Sequence, residues 1–353
     1  MPKRSPVATR PEQIFADLRD VARRVRIALS EEMAESAEEL PHDAAPARQV
    51  GHFAQLERAR VLAAGVSGLD KLADGRADRM SDEEYFGVEA VVLFEGRPAI
   101  PIQGRDFAPQ QGDWSVLNVH RAAIRESIGR VGRIEVTGHP GLDWAGTAFL
   151  VGPEAVMTNR HVAVEFARAD GNGGWTFREG ISARVDTAEE VGGEPGDGPP
   201  EFDITDVLGI HQDVDMALLR VAPASGTNPL PTPLAVAAEP PADVAGRRVY
   251  LIGYPAWDGR RNEPESMRRI FMDVYNVKRL QPGTATELVP DRLVVKHDCS
   301  TLGSNSGSPV IDLTDHRVLG LHFGGRYRVG NFAVPLWQLV DDPLLRRARV
   351  NFV

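Results

Sequence analysis

The chain has 353 residues, room for two or three domains, and its 42% hydrophobic and 25% charged content is that of an ordinary folded protein. A net charge of −10 argues against a nucleic-acid binder or an anionic-membrane binder, either of which needs a basic face. One cysteine, Cys299, excludes an intramolecular disulfide; no apolar run approaches the ~18 residues that span a bilayer; and the opening "MPKRSPVATRPEQIF" has no secretory apolar core, so a cytoplasmic, reducing setting is expected.

Helical periodicity dominates before about residue 130. Ile14, Leu18, Val21 and Val25 follow spacings of four, three and four and share one helix face. After the break "LPHDAAPARQ", Phe53, Leu56 and Leu62 predict a second helix. Ser81 followed by Glu84 is the pattern of a capping box and predicts a third, running into "YFGVEAVVLF". The stretch "EGRPAIPIQGRDFAPQQGDW" reads as turns with a short extended piece, and "VLNVHRAAIRESIG" as a fourth helix.

Beyond that point the apolar runs shorten to strand length: "GRIEV", "GTAFLVG", "AVMTN", "ISARV", "MALLRV", "RRVYLIGYP", "RLVVKH", "SPVID", "RVLGLHFGG" and "NFAVPLW". Their regular spacing, with Gly and Pro between, predicts an all-β sandwich or barrel. "LWQLVDDPLLRRARV" fits a terminal helix. The acidic stretch Asp186–Asp203 reads as a solvated loop, and its acids do not follow a calcium-loop spacing, so no metal is expected.

Three segments of this β half carry chemistry, in the order His, Asp, Ser: "GTAFLVGPEAVMTNRHVA" with His161, "DVDMALLRV" with Asp215, and "TLGSNSGSPVID" with Ser306. A serine hydroxyl attacks a carbonyl only when a base takes its proton; histidine titrates near neutrality, and a carboxylate fixes its tautomer. The small residues around Ser306 let backbone N–H groups approach a developing oxyanion. Asp213 competes for the acid role, but Asp215 directly precedes the apolar "MALLRV" and enters the core with it. A nucleophile elbow needs glycines two residues either side of the serine, where this chain has Ser304 and Ser308, so that alternative fails.

Through "GTAFLV", "TNRHVA", "DVDMALLRV", "LIGYP", "SNSGSPV" and "VLGLHFGG", residues from about 130 onward resemble a trypsin-like (chymotrypsin-fold) serine protease, nearest the bacterial glutamyl-endopeptidase-like branch. The resemblance implies a mainly β protein of two antiparallel six-stranded β-barrels over 126–353; the helical periodicity ahead of it gives an α-helical N-terminal region over 1–125. It implies no cofactor and no metal, and a protein or peptide substrate. Carried over, His161 is the general base, Asp215 its orienting partner and Ser306 the nucleophile, with the Ser304 and Ser306 N–H groups as the oxyanion hole. In the substrate pocket it places Ser300, where relatives that cut after Arg or Lys carry aspartate, and Thr301, His322 and Gly324. Thr301 and His322 match positions that contact an acidic P1 side chain in glutamyl endopeptidases.

Two departures stand out. Asn305 holds the place of the aspartate that pairs with a newly cut N-terminus in many animal relatives, so that activation route is not expected. Ser304 holds a place usually given to glycine, which leaves open a peptide flipped in the free protein. The function expected is an intracellular serine endopeptidase; the alternative is a silent or latent protease fold used for binding. The N-terminal region is read as an adaptor for a protein partner, a restraining cap or a packing extension.

Overall fold

Apolar spacing and one polar exchange build the helical region. The computed structural model describes residues 17–35, 46–91, 96–191, 201–224, 229–256, 275–326 and 330–353. Helix α1 (Leu18–Glu35) buries Val21 and Val25, the face expected from their spacing; Ile14 lies outside the described residues. Helix α2 (Pro46–Ala73) adds Leu62, Val66 and Leu69 to the same cluster; the side chains of Phe53 and Leu56 lie outside the description. Helix α3 (Asp82–Val91) adds Val88 and Val91. Each fully buried side chain of this size stabilises by about 1.5–3 kcal/mol, more than helix propensity supplies per residue.

The capping box at the start of α3 forms reciprocally: the Ser81 N–H donates to Glu84 Oε2 at 2.8 Å, and the Glu84 N–H to Ser81 Oγ at 3.2 Å. Lys71 and Ser67 also donate to Glu84, at 2.7 and 2.6 Å. Lys71 first, then Ser67 and the Ser81 N–H, pull the Glu84 carboxyl down to about 2.

The chain divides into two compact units. Among the described residues, the first holds those up to Pro98 together with Gln111–Ser115, and the second holds Ala99–Gln110 and the remainder from Val116. The second unit opens with a hairpin of β1 (Ile100–Gln103) and β2 (Asp106–Phe107), the short extended piece expected there. The predicted fourth helix is two short ones, α4 (Val116–Val119) and α5 (Arg121–Ile128), separated at His120.

Six strands then close the first barrel. They are β3 (Val131–Thr137), β4 (Trp144–Gly152) and β5 (Ala155–Thr158), then, beyond helix α6 (Arg160–Ala163) and the small hairpin β6 (Ala167–Ala169) with β7 (Trp175–Phe177), β8 (Ser182–Asp186), β9 (Phe202–Ile210) and β10 (Ala217–Pro223). They pair antiparallel in the order β10-β5-β4-β3-β8-β9, closed by β9 on β10. Ile134, Leu150, Val156, Phe166, Val185 and Leu219 fill the interior.

The second barrel uses β11 (Arg248–Gly253), β12 (Arg279–Val289), β13 (Val294–His297), β14 (Pro309–Asp312), β15 (Val318–Arg326) and β16 (Gly330–Pro335). Its order is β11-β14-β15-β16-β13-β12, closed by β11 on β12, with β1 also paired to β12. Val249, Leu251, Val295, Val310, Leu319 and Trp337 form its core. The two closed antiparallel barrels are the architecture the sequence implied.

After β16 the predicted terminal helix is a single 3-10 turn at Leu336–Leu339 and then α7 (Pro343–Arg347). Asp342 caps α7, its Oδ1 accepting the Leu344 and Leu345 N–H groups at 2.9 and 3.2 Å. Among the described residues no helix is long and apolar enough to cross a membrane.

Candidate active site

His161 lies on α6, the one-turn helix that "TNRHVA" forms where the chain leaves β5. Asp215 sits just ahead of β10, beside β5 in the first barrel. The Asp215 carboxylate grips this histidine twice: Oδ2 is 2.6 Å from Nδ1 of the ring, and Oδ1 accepts the His161 backbone N–H at 3.0 Å. Burial pushes the Asp215 carboxyl up, but the hydrogen bonds and charge of His161, with Arg160 nearby, more than offset it and hold the group below its ordinary value. Asp215 is therefore ionised at neutral pH, and the imidazole half exposed beside it presents Nδ1 to a negative charge. The competitor Asp213 is exposed, and its backbone N–H donates to His211 Nδ1.

Two residues that the sequence reading did not single out hold this pair. Asn159, fully buried, donates from Nδ2 to the Asp215 carbonyl at 2.8 Å. Arg160 donates to the carbonyls of His211 and Gln212, fixing the loop that carries Asp215. Both lie inside "TNRHVA", which is the only sequence signal for them.

Ser306 belongs to the second barrel, in the turn between β13 and β14. Its carbonyl accepts the Thr147 N–H from β4 of the first barrel at 2.9 Å. A Cβ on Gly146 would meet Val162, the neighbour of His161, at 2.9 Å and the Ser306 carbonyl at 3.1 Å. His and Ser segments thus converge on one glycine. The next residue, Gly307, has φ +90°, and a Cβ there would lie 1.9 Å from the Thr147 carbonyl. Only glycine fits this close approach in that conformation.

Ser304 has φ 69°, in the left-handed region where a residue with a Cβ costs about 1–2 kcal/mol. It follows Gly303 in a turn closed by the Asn305 N–H to the Leu302 carbonyl at 3.3 Å. Neither the Ser304 nor the Ser306 N–H donates to an acceptor among the described residues.

The expected pocket residues lie in two stretches of the second barrel, Ser300 and Thr301 after β13 and His322 and Gly324 on β15. Ser300 is buried, its carbonyl accepting Gln281 Nε2 at 2.5 Å. The Thr301 hydroxyl is 2.7 Å from Asn331 Oδ1, and Asn331 Nδ2 donates to the Cys299 carbonyl at 2.6 Å. His322, 1% exposed, has Nδ1 3.1 Å from Nε2 of His297, which is wholly buried. Gly324 follows a bulge in the β15–β16 pairing, and a Cβ there would meet nothing within 4 Å. Burial lowers His297 to about 3; burial, then the charges of His297 and His161, hold His322 well below its ordinary value. Both rings are neutral at pH 7. His297 and Asn331 were not anticipated, since nothing near either in the chain marks it out.

Among the described residues one trio of acids gathers its oxygens within 4.8 Å: Glu135, Asp186 and Glu189. Arg133 already supplies positive charge there, 2.5 Å from Glu135 and 3.2 Å from Glu189. Asp186 itself is buried, whereas residues 192–200 of the acidic stretch lie outside the described residues.

The trypsin-like peptidase domain family matches residues 146–321. Two serine proteases of Mycobacterium tuberculosis, MT3772 and Rv3671c, are each 28% identical over 243 residues, 67% of this chain and 49% of theirs. The chain thus spans about half the length of these relatives. The crystal structure of the Rv3671c protease in its active form covers 72% of this chain, with 91% of its own length, at 22% identity and a TM-score of 0.42. With two closed barrels, and a matched segment that runs from Gly146 past Ser306, the chain carries a trypsin-like peptidase domain.

Proposed function

We propose that this chain is a serine endopeptidase, with residues 126–353 as its protease domain. The observation that carries the reading is the double hydrogen bond from the Asp215 carboxylate to His161. In the proposed mechanism Asp215 keeps the Nδ1–H tautomer, so His161 Nε2 is the base that takes the Ser306 hydroxyl proton as the oxygen attacks a substrate carbonyl. The Ser304 and Ser306 N–H groups receive the oxyanion. His161 then returns the proton to the leaving amine, an acyl-enzyme forms on Ser306, and water releases it by the same steps in reverse.

At the pocket, Ser300 supplies no carboxylate for an Arg or Lys side chain. A hydroxyl at Thr301 and an imidazole at His322 support an acidic P1 residue. The rings are neutral in the free protein, so binding of a P1 carboxylate draws a proton onto His322. We further propose an intracellular setting, and a helical N-terminal region that recruits a protein partner or restrains the protease.

Covalent labelling with a fluorophosphonate tests the activity. Labelling of the parent and its loss in Ser306→Ala are expected. Serine at position 304, where glycine is usual, motivates one competing reading, a latent fold used for binding. A folded parent that never labels, with any peptide added, establishes that reading instead.

A further inference from the structure

A residue with a Cβ holds a left-handed conformation only where its surroundings fix the peptide on each side of it. Both peptides flanking Ser304 are fixed. Before it, the Gly303 carbonyl accepts the Ala256 N–H at 2.8 Å, in an isolated antiparallel bridge. Because C=O and N–H point opposite ways in a trans peptide, anchoring that carbonyl aims the Ser304 N–H away from Ala256. After it, the Ser304 carbonyl accepts the hydroxyl of Thr147 at 2.9 Å.

Thr147 is suited to hold something still. It is wholly buried in β4, its N–H donates to the Ser306 carbonyl at 2.9 Å, and its carbonyl accepts the Thr158 hydroxyl at 2.7 Å. Its backbone thus anchors the nucleophile and its side chain anchors the residue two before it. Both bonds run from the first barrel to the turn of the second.

We propose that the Thr147 hydroxyl is a positioning residue for the oxyanion hole: by holding the Ser304 carbonyl it keeps Ser304 left-handed and its N–H aimed at the reacting carbonyl. The inference rests on the protease reading and adds the group that forms the hole. Without the hydroxyl, Ser304 relaxes toward negative φ and carries its N–H out of the site, while His161 and Asp215 stay paired.

The test is steady-state kinetics on one peptide ester, with the affinity of a peptide aldehyde, whose adduct oxyanion occupies the hole, as a second readout. Thr147→Val keeps the shape and removes the donor. A fall in kcat of about tenfold or more is expected, with KM within about twofold and aldehyde affinity falling in step with kcat. Thr147→Ser is expected to restore activity. In a Ser304→Gly background the Thr147→Val loss is expected to shrink, since glycine takes the left-handed conformation without a clamp. If Thr147→Val does not fold, Thr147→Ser against Thr147→Cys gives the same comparison of a strong donor with a weak one.

Unchanged kcat and aldehyde affinity in Thr147→Val overturn the proposal. So does an equal loss in the Ser304→Gly background, which marks a packing effect. A parent that labels with fluorophosphonate while Thr147→Val behaves normally overturns this inference alone. A parent that does not label removes the protease reading and this inference with it.

Discussion

Asp215 holds His161 at two points, the ring Nδ1 at 2.6 Å and the backbone N–H at 3.0 Å, so one carboxylate sets both the tautomer of the ring and the position of the chain that bears it. An asparagine at 215 keeps the shape but can present its amide N–H to Nδ1, which selects the wrong tautomer. For Asp215→Asn we expect kcat on an ester substrate to fall by about 10⁴, the size of loss a wrong tautomer produces. For exposed Asp213→Asn we expect activity within about threefold of the parent, since surface charges away from the site do little. Similar losses in the two variants overturn the assignment.

The pocket makes a prediction about pH. His322 is neutral in the free protein because burial depresses its pKa, and on the proposed acidic-P1 reading a carboxylate bound beside it would raise it. Binding of a Glu-P1 peptide therefore takes up a proton, and its KM is expected to fall by up to about tenfold per pH unit as pH drops from 8 toward 6. A matched Ala-P1 peptide should show no such trend. Measuring both KM values across that range decides, and parallel curves count against an acidic preference.

The same two rings set an acid limit on stability. His297 is held at about 3 in the folded protein, against an ordinary value of 6.5, and His322 is depressed likewise. A depressed histidine leaves the unfolded chain binding more protons below pH 6.5, so stability is full above that value and is lost as pH falls toward 3. His297 contributes a slope on the order of 1 kcal/mol per pH unit in that window, and His322 acts in the same direction. Urea unfolding of the parent and His297→Gln between pH 7 and 5 should give a shallower pH slope in the variant, whatever its stability at pH 7. Equal slopes rule this origin out.

Gly307 has no room for a methyl group, with the Thr147 carbonyl 1.9 Å from where its Cβ would sit and φ at +90°. Gly307→Ala must push β4 and the nucleophile turn apart. We expect destabilisation of about 2–4 kcal/mol and loss of fluorophosphonate labelling. Thermal unfolding and gel labelling check it; a labelled variant with parental Tm means the turn is more compliant than its contacts imply.

Much of this was legible in the sequence where local rules and global fold agree. Ser81 and Glu84 read as a capping box because that exchange needs only three residues of spacing. His161, Asp215 and Ser306 stood out because each sits where a short apolar run meets a polar turn. By contrast β12 was missed: "RLQPGTATELV" has Pro282 and Gly283 at its centre and buries Arg279 and Gln281. Long-range carbonyls make that tolerable, Ala99 accepting from Arg279 and Ser300 from Gln281, and no local pattern announces partners so distant. Strand β9 was missed because its alternation starts inside the acidic stretch. Thr147 was quoted in "GTAFLV" as a strand residue; its hydroxyl acquires a task only when the second barrel brings Ser304 beside it.

In the proposed mechanism base and nucleophile come from different barrels, His161 and Asp215 from the first and Ser306 from the second, and Thr147 ties one to the other through two hydrogen bonds. Turnover is therefore a gauge of inter-barrel alignment. Mild denaturant that lets the barrels slip by an ångström should silence the proposed activity while each barrel still gives its full β-sheet circular dichroism, and any ligand bridging the two would act as an activator without touching a reacting atom.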